Sequence, residues 1–149
     1  MMHNQNLGNI LALKEYNKVN LQSGIENASP HRLIEMLLDG ALARIAKAKG
    51  NMKANLRSKK GEDISMAISI IGGLRDSLDQ KKGGDIAKNL DSLYEYMTYR
   101  LMEANLKDDI SMLDEVHNLL MEIKSAWTEI GNHPSVVGVD KQSHVSPAA

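Results

Sequence analysis

Apolar residues recur at steps of three and four through most of this chain, the period of an amphipathic helix. A short first segment carries Leu13, Tyr16 and Val19 three apart and stops at Ser23-Gly24, where glycine supplies a C-terminal end. Ala28-Ser29-Pro30 then starts a long helix. Ser29 is placed to cap free backbone N–H groups, and Pro30 sits at the first helical position, where its missing N–H costs nothing. The inward stripe of that helix is Ile34, Leu37, Leu38, Ala41, Ile45, Ala48 and Met52.

A polar, basic connection is expected from Lys53 to Gly61, with the next helix starting near Glu62-Asp63, acids suited to the positive end of a helix dipole. Its stripe is Ile64, Ala67, Ile68, Ile71, Leu74 and Leu78, interrupted by Gly72-Gly73. That pair signals either close helix approach or a bend. Lys82-Gly83-Gly84-Asp85 reads as a turn ending in a capping acid. The following helix carries Ile86, Leu90, Leu93, Met97, Leu101 and Ala104. Asn105 to Asp109 makes a short break, with Asp108 or Asp109 as the next cap.

The last helix has the cleanest period, Leu113, Val116, Leu120, Ile123, Trp127 and Ile130, and ends at Gly131 and Pro134. Short connections make neighbouring helices antiparallel. The expected fold is all-α, an antiparallel up-and-down four-helix bundle with a short movable N-terminal helix. Residues 1–131 form one domain with a flexible head over 1–9. Residues 132–149, rich in Ser, Val, Gly and Pro, are expected to be disordered.

Composition supports this. Phe is absent and Met is plentiful at 9, so Leu, Ile, Met and Ala must fill the core, and these suit helices better than sheets. No proline falls between Pro30 and Pro134, so long helices are unobstructed. The absence of cysteine removes disulfides, thiolate metal sites and cysteine nucleophiles. Eighteen basic against 19 acidic residues provide no global field for nucleic acid or an anionic membrane. The polar start has no signal-peptide pattern, and no apolar run reaches the roughly 20 residues that span a bilayer. A cytoplasmic protein without membrane insertion is expected.

Few residues invite chemistry. His31 and Glu35 share a helix face, but a second ligand pair is missing and no Glu-x-x-His occurs, so a polar face is the better reading than a metal site. Asp108-Asp109 and Asp114-Glu115 are adjacent acids, read as a cap and a solvated face. The basic run Arg44, Lys47, Lys49, Lys53, Arg57, Lys59 and Lys60 lacks interleaved aromatics for base stacking and reads as a solvated helix end. The glycine pairs lack the Gly-Lys-Ser/Thr of a phosphate loop. No cofactor, metal or catalytic residue is expected.

One feature resists a plain core reading. Leu33 and Leu42, Met66 and Ile70, Tyr94 and Met102, and Met112 and Leu119 lie off the main stripes. They either widen the core or leave grooves for a partner helix.

The chain also resembles the flagellar secretion chaperone family. The resemblance rests on Ala28-Ser29-Pro30-His31-Arg32-Leu33-Ile34-Glu35-Met36-Leu37-Leu38-Asp39-Gly40-Ala41. Further blocks run from Leu78-Asp79 to Gly83-Gly84, Ile86-Ala87-x-Asn89-Leu90, Leu93-Tyr94-x-Tyr96-Met97, Arg100-Leu101-x-x-Ala104-Asn105 and Ala126-Trp127-x-x-Ile130. Leu38 departs from the family, which often has Tyr or Phe there. The resemblance implies a helical bundle with no catalysis. It implies binding of the disordered C-terminal segment of flagellin, which prevents premature polymerisation, and delivery to the cytoplasmic domain of the flagellar export gate. An anti-sigma factor is a further partner of some members.

By the same resemblance Leu13 and Tyr16 take part in cargo or gate contact. Val19 joins them on the movable helix, and Leu33, Leu37, Ile70, Leu90, Tyr94, Met97 and Leu101 are the candidate walls of a long apolar groove. The alternatives are a helical adaptor that pairs with another copy or binds a regulator without flagellin, and a metal-binding four-helix bundle.

Overall fold

The computed structural model describes residues 27–132. The predicted first helix with Leu13, Tyr16 and Val19, the head before it and the tail from residue 133 lie outside the described residues. Helix α1 spans Pro30–Lys53, α2 Arg57–Asp76, α3 Gln80–Lys107 and α4 Ile110–Asn132, and there is no strand among the described residues. Each helix packs on two others in a ring, α1 on α2 and α4, and α3 on α2 and α4. The α1/α2 contact is the most extensive and α3/α4 the least. Cross-links such as Asp39–Lys124 and Lys49–Asp114 run antiparallel, so the fold is the expected up-and-down bundle.

The local signals explain most boundaries. Ser29 Oγ accepts the Arg32 N–H at 3.1 Å, with Pro30 at the first position of α1. Asp79 caps α3 by accepting the Lys81 and Lys82 N–H groups at 3.1 and 3.0 Å. Asp109 caps α4 by accepting the Ser111 N–H at 2.9 Å. The turn expected at Lys82–Asp85 becomes a kink inside α3. Gly84 there has φ 53° and ψ −130°, a backbone region that glycine enters without a Cβ clash. Helix α2 runs through Gly72-Gly73, with Gly73 buried.

Two expectations are corrected. Helix α2 begins at Arg57, not near Glu62, because left-handed Asn55 (φ 58°) ends α1 within a turn of three residues, Ala54 to Leu56. The basic run Arg57 to Lys60 thus enters the helix and turns Lys60 inward. Lys60 Nζ donates to the Asn105 carbonyl at 3.1 Å and pairs with Asp108, so it is no part of a solvated end. Asp63 does not cap. It is buried, accepting from Arg44 Nη1 at 3.1 Å and Asn51 Nδ2 at 2.7 Å. The second correction concerns the off-stripe residues. Leu42, Ile70, Tyr94 and Met112 are buried in the core, so the stripes are simply wide at those points. Leu33, Met66 and Leu119 are half-buried, and only Met102 is exposed.

Leu38, Ile45, Ile64, Ile71, Leu74, Met97, Leu101, Leu113, Val116 and Leu120 are sealed inside. Each such side chain contributes about 1.5–3 kcal/mol relative to exposure. Burial also pushes the Tyr94 phenol up to about 12.

Candidate partner-binding surface

The upper end of the bundle is where α1 and α3 begin and where α2 and α4 finish; the lower end is the opposite one. Apolar residues change character along this axis. Below the middle the inward-facing ones are sealed, while Leu56, Met102 and Leu106 stay exposed on the outside. At the upper end Ile34, Leu78, Leu90, Leu93, Ile123 and Trp127 pack against the core but stay half-exposed. Ile86 and Ile130 are 73% and 41% exposed.

These residues follow one seam. On α3, Ile86 and Leu93 precede Arg100 by fourteen and seven residues, so they share its face. Arg100 Nε donates to Glu115 Oε1 of α4 at 2.7 Å, and that face therefore points at α4. On α4, Leu119, Ala126 and Ile130 follow Glu115 at helical spacing. The upper α3/α4 seam is thus lined by Ile86, Leu90 and Leu93 on one wall and Leu119, Ile123 and Ile130 on the other.

Below, the seam is shut by a polar cluster: Glu115 accepts from Tyr96 Oη at 2.6 Å and from Arg100, whose guanidinium lies 5.9 Å from the Tyr96 ring centre. The Tyr96 hydrogen bond, with Arg100, holds Glu115 below the usual carboxylate range. Above Glu115, no side-chain hydrogen bond or ion pair joins α4 to α3 among the described residues.

Each wall is instead moored outward. Arg75 of α2 donates from Nε and Nη2 to Asp91 at 2.6 and 3.2 Å and reaches Glu95 at 3.5 Å, which holds α3 to α2. The Arg75 hydrogen bond holds the Asp91 carboxyl below its ordinary value. Helix α4 is held to α1 by Lys124–Asp39 at 2.5 Å and by Thr128 Oγ1 donating to Glu35 at 2.6 Å. That bond, ahead of the one from Arg32, lowers the Glu35 carboxyl.

At the very top the His31 and Trp127 rings stack, 4.7 Å between centres and 5° from parallel. Trp127 Nε1 donates to the His31 carbonyl at 2.9 Å, and His31 Nε2 lies 2.7 Å from the Trp127 carbonyl. The two residues predicted as a possible metal pair, His31 and Glu35, are therefore engaged with Trp127 and Thr128.

The candidate residues divide. Leu90 lies in the upper seam. Leu33 is half-buried on α1, and Leu37 is buried in the core. Ile70, Tyr94, Met97 and Leu101 are also buried, so in this conformation they hold the helices together and line no open surface. The apolar surface falls instead to Ile86, Leu93, Leu119 and Ile130 at the seam, and to Tyr99, Met102 and Leu106 elsewhere on α3.

Sequence reasoning put Ile86, Leu93, Ile123 and Ile130 in the core stripes, because periodicity marks a face and not its degree of cover. Asp114 and Glu115, read as a solvated face, are 46% and 37% exposed and also cross-link helices, to Lys49 and to Arg100. Two shallow surface depressions, about 580 Å³ at Arg44, Glu62 and Ser69 and about 470 Å³ at Met121, Lys124 and Glu129, are lined mainly by polar side chains. No helix of the described residues is long and apolar enough to cross a membrane.

Residues 12–134 match the model of the family described as flagellar protein FliS. The flagellar secretion chaperone FliSB of Pseudomonas aeruginosa is 50% identical over 121 residues, 81% of this chain and 96% of that protein. The flagellar secretion chaperone FliS of Salmonella typhimurium is 46% identical over 119 residues, 79% of this chain and 88% of its own length. That of Bacillus subtilis is 30% identical over 108 residues, 72% and 80% of the two chains.

Proposed function

The chain belongs to the FliS family of flagellar secretion chaperones, and from that premise we propose that it binds the C-terminal segment of flagellin in the cytoplasm, keeps the segment from polymerising, and delivers it to the flagellar export gate. It acts by covering surface and carries out no reaction.

The observation that carries this reading is the row of half-exposed and exposed apolar residues at the upper seam. A disordered segment that folds on binding loses about 2–5 kcal/mol or more to ordering. Apolar area buried at about 25 cal/mol/Å² must exceed that loss, which favours an extended apolar track over a compact pocket. Ile86, Leu90, Leu93, Leu119, Ile123 and Ile130 form such a track, and the exposed Tyr99, Met102 and Leu106 extend apolar surface along α3.

The segment before Asn27 enters α1 at the same upper end. Leu13, Tyr16 and Val19 are proposed to cover part of the seam in the free protein, to move when cargo arrives, and then to contact cargo or gate. Leu33, Leu37 and Leu90 remain candidate contacts. Ile70, Tyr94, Met97 and Leu101 act from behind, as the floor on which the track rests.

Light scattering of the full chain mixed with a peptide of the flagellin C-terminal segment tests the proposal. A one-to-one complex that disappears when the peptide is truncated is the expected result. A chain that ignores the peptide and pairs with itself would overturn it in favour of an adaptor. Leu13→Ala with Tyr16→Ala separates roles: weaker binding at unchanged melting temperature assigns contact, and the reverse assigns packing.

A further inference from the structure

The upper seam lies farthest from the α3/α4 turn, and among the described residues no side-chain hydrogen bond or ion pair ties its two walls together there. Its width is therefore set by what holds each wall from outside. The α3 wall is held by Arg75. The last two turns of α4 are held to α1 by Glu35–Thr128 and the His31–Trp127 stack.

Gly131 completes this second mooring. A β-carbon at that position would lie inside the van der Waals envelope of the His31 ring, touching Cε1, Nε2 and Nδ1 together. The imidazole is thus enclosed by the indole, by the Trp127 carbonyl on Nε2, and by a residue with no side chain. His31 can reach this position because Ser29 and Pro30 fix the first turn of α1. Rings, backbone and glycine fit as one clasp, on the side of α4 turned away from α3.

We infer that the His31–Trp127–Gly131 clasp sets the position of the α4 wall, so that these three are positioning residues for partner binding. The inference rests on the seam being the partner site. Loosening the clasp lets the end of α4 swing, widens the seam, and makes the partner order that wall on binding.

The chain has one tryptophan and no cysteine, which permits a direct test in the full-length protein. Lys88→Cys and Glu129→Cys place spin labels on exposed positions of the two walls. In that background Gly131→Ala expels the ring, and His31→Ala removes it while leaving the carbonyl that Trp127 uses. Near-ultraviolet circular dichroism of Trp127 reports the lost stack.

The expected result is a broader inter-label distance distribution in both variants. Affinity for the flagellin peptide falls by about tenfold, the loss of a preorganised wall. A distribution unchanged in both variants overturns the inference, as does a broader one with unchanged peptide affinity. Broadening in a protein whose parent ignores the peptide would support the mooring and defeat the flagellin reading, so the two failures stay distinct. A merely structural role would lower the melting temperature and leave the distances of the folded protein unmoved.

Discussion

The lower and upper halves of the bundle use the same residue types at the same spacing and end up different. In the lower half Ile45, Ile64, Leu101 and Leu113 are at most 1% exposed. In the upper half Leu90, Leu93 and Ile123 stay half-exposed, and Ile86 and Ile130 more so. Connectivity explains the contrast. Two turns close the lower end, Ala54–Leu56 between α1 and α2 and Asp108–Asp109 between α3 and α4, and Lys60 ties α2 to the second of them. Among the described residues one turn, Ser77–Asp79, closes the upper end, and α1 and α4 are held there by Trp127 on the His31 carbonyl and Thr128 on Glu35. A four-helix hairpin chain has a fixed end and a loose end, and the half-exposed seam of this one lies at the loose end.

The largest break of this contrast is a cavity in the fixed half. Leu113→Ala should cost about 2–5 kcal/mol in denaturant unfolding, with cargo binding intact in the molecules that remain folded. Lys60→Ala comes next. It leaves the half-buried Asn105 carbonyl without its side-chain donor, and should cost about 1 kcal/mol by the same measurement.

Acidification sharpens the contrast at the moorings. Asp91 and Glu35 have values lowered in the folded state, by the bond from Arg75 and by the bonds from Thr128 and Arg32. Their stabilisation is complete above the ordinary carboxylate values, 3.8 for Asp91 and 4.5 for Glu35, and is lost as pH falls through the lowered ones. Hydrogen exchange at the upper end of α4 should therefore rise as pH falls through the lowered Glu35 value and the bonds from Thr128 and Arg32 are lost. The smallest effect on stability falls on the seam itself. Ile86→Ser and Ile130→Ser should change unfolding by no more than about 0.5 kcal/mol, while weakening flagellin-peptide binding in calorimetry.

Much of the fold was legible in order along the chain. Ser29-Pro30 and Asp109 are local signals, since a cap needs only the next three residues, whereas the cap of α3 is Asp79 and not the expected Asp85. The start of α2 was misread because the acids Glu62 and Asp63 imitate a helix start, while the true signal was a left-handed Asn55 that no composition rule marks. The site was legible only in outline. Leu90 was placed on a partner wall and falls on the seam, whereas Tyr94, Met97 and Leu101 had the same periodic credentials and are buried.

The sequence by itself determined that this is a helical bundle, where α1 and α4 are capped, and which family it belongs to, because those depend on near neighbours and on ordered motifs. Which apolar faces are covered depends on where the chain ends are fastened. His31 and Trp127 are 96 residues apart and Gly131 lies 100 from His31, and no local period links them. Only tertiary structure decided that these three meet and that the apolar residues of the seam beside them stay half-exposed, because packing across such distances has no footprint in spacing.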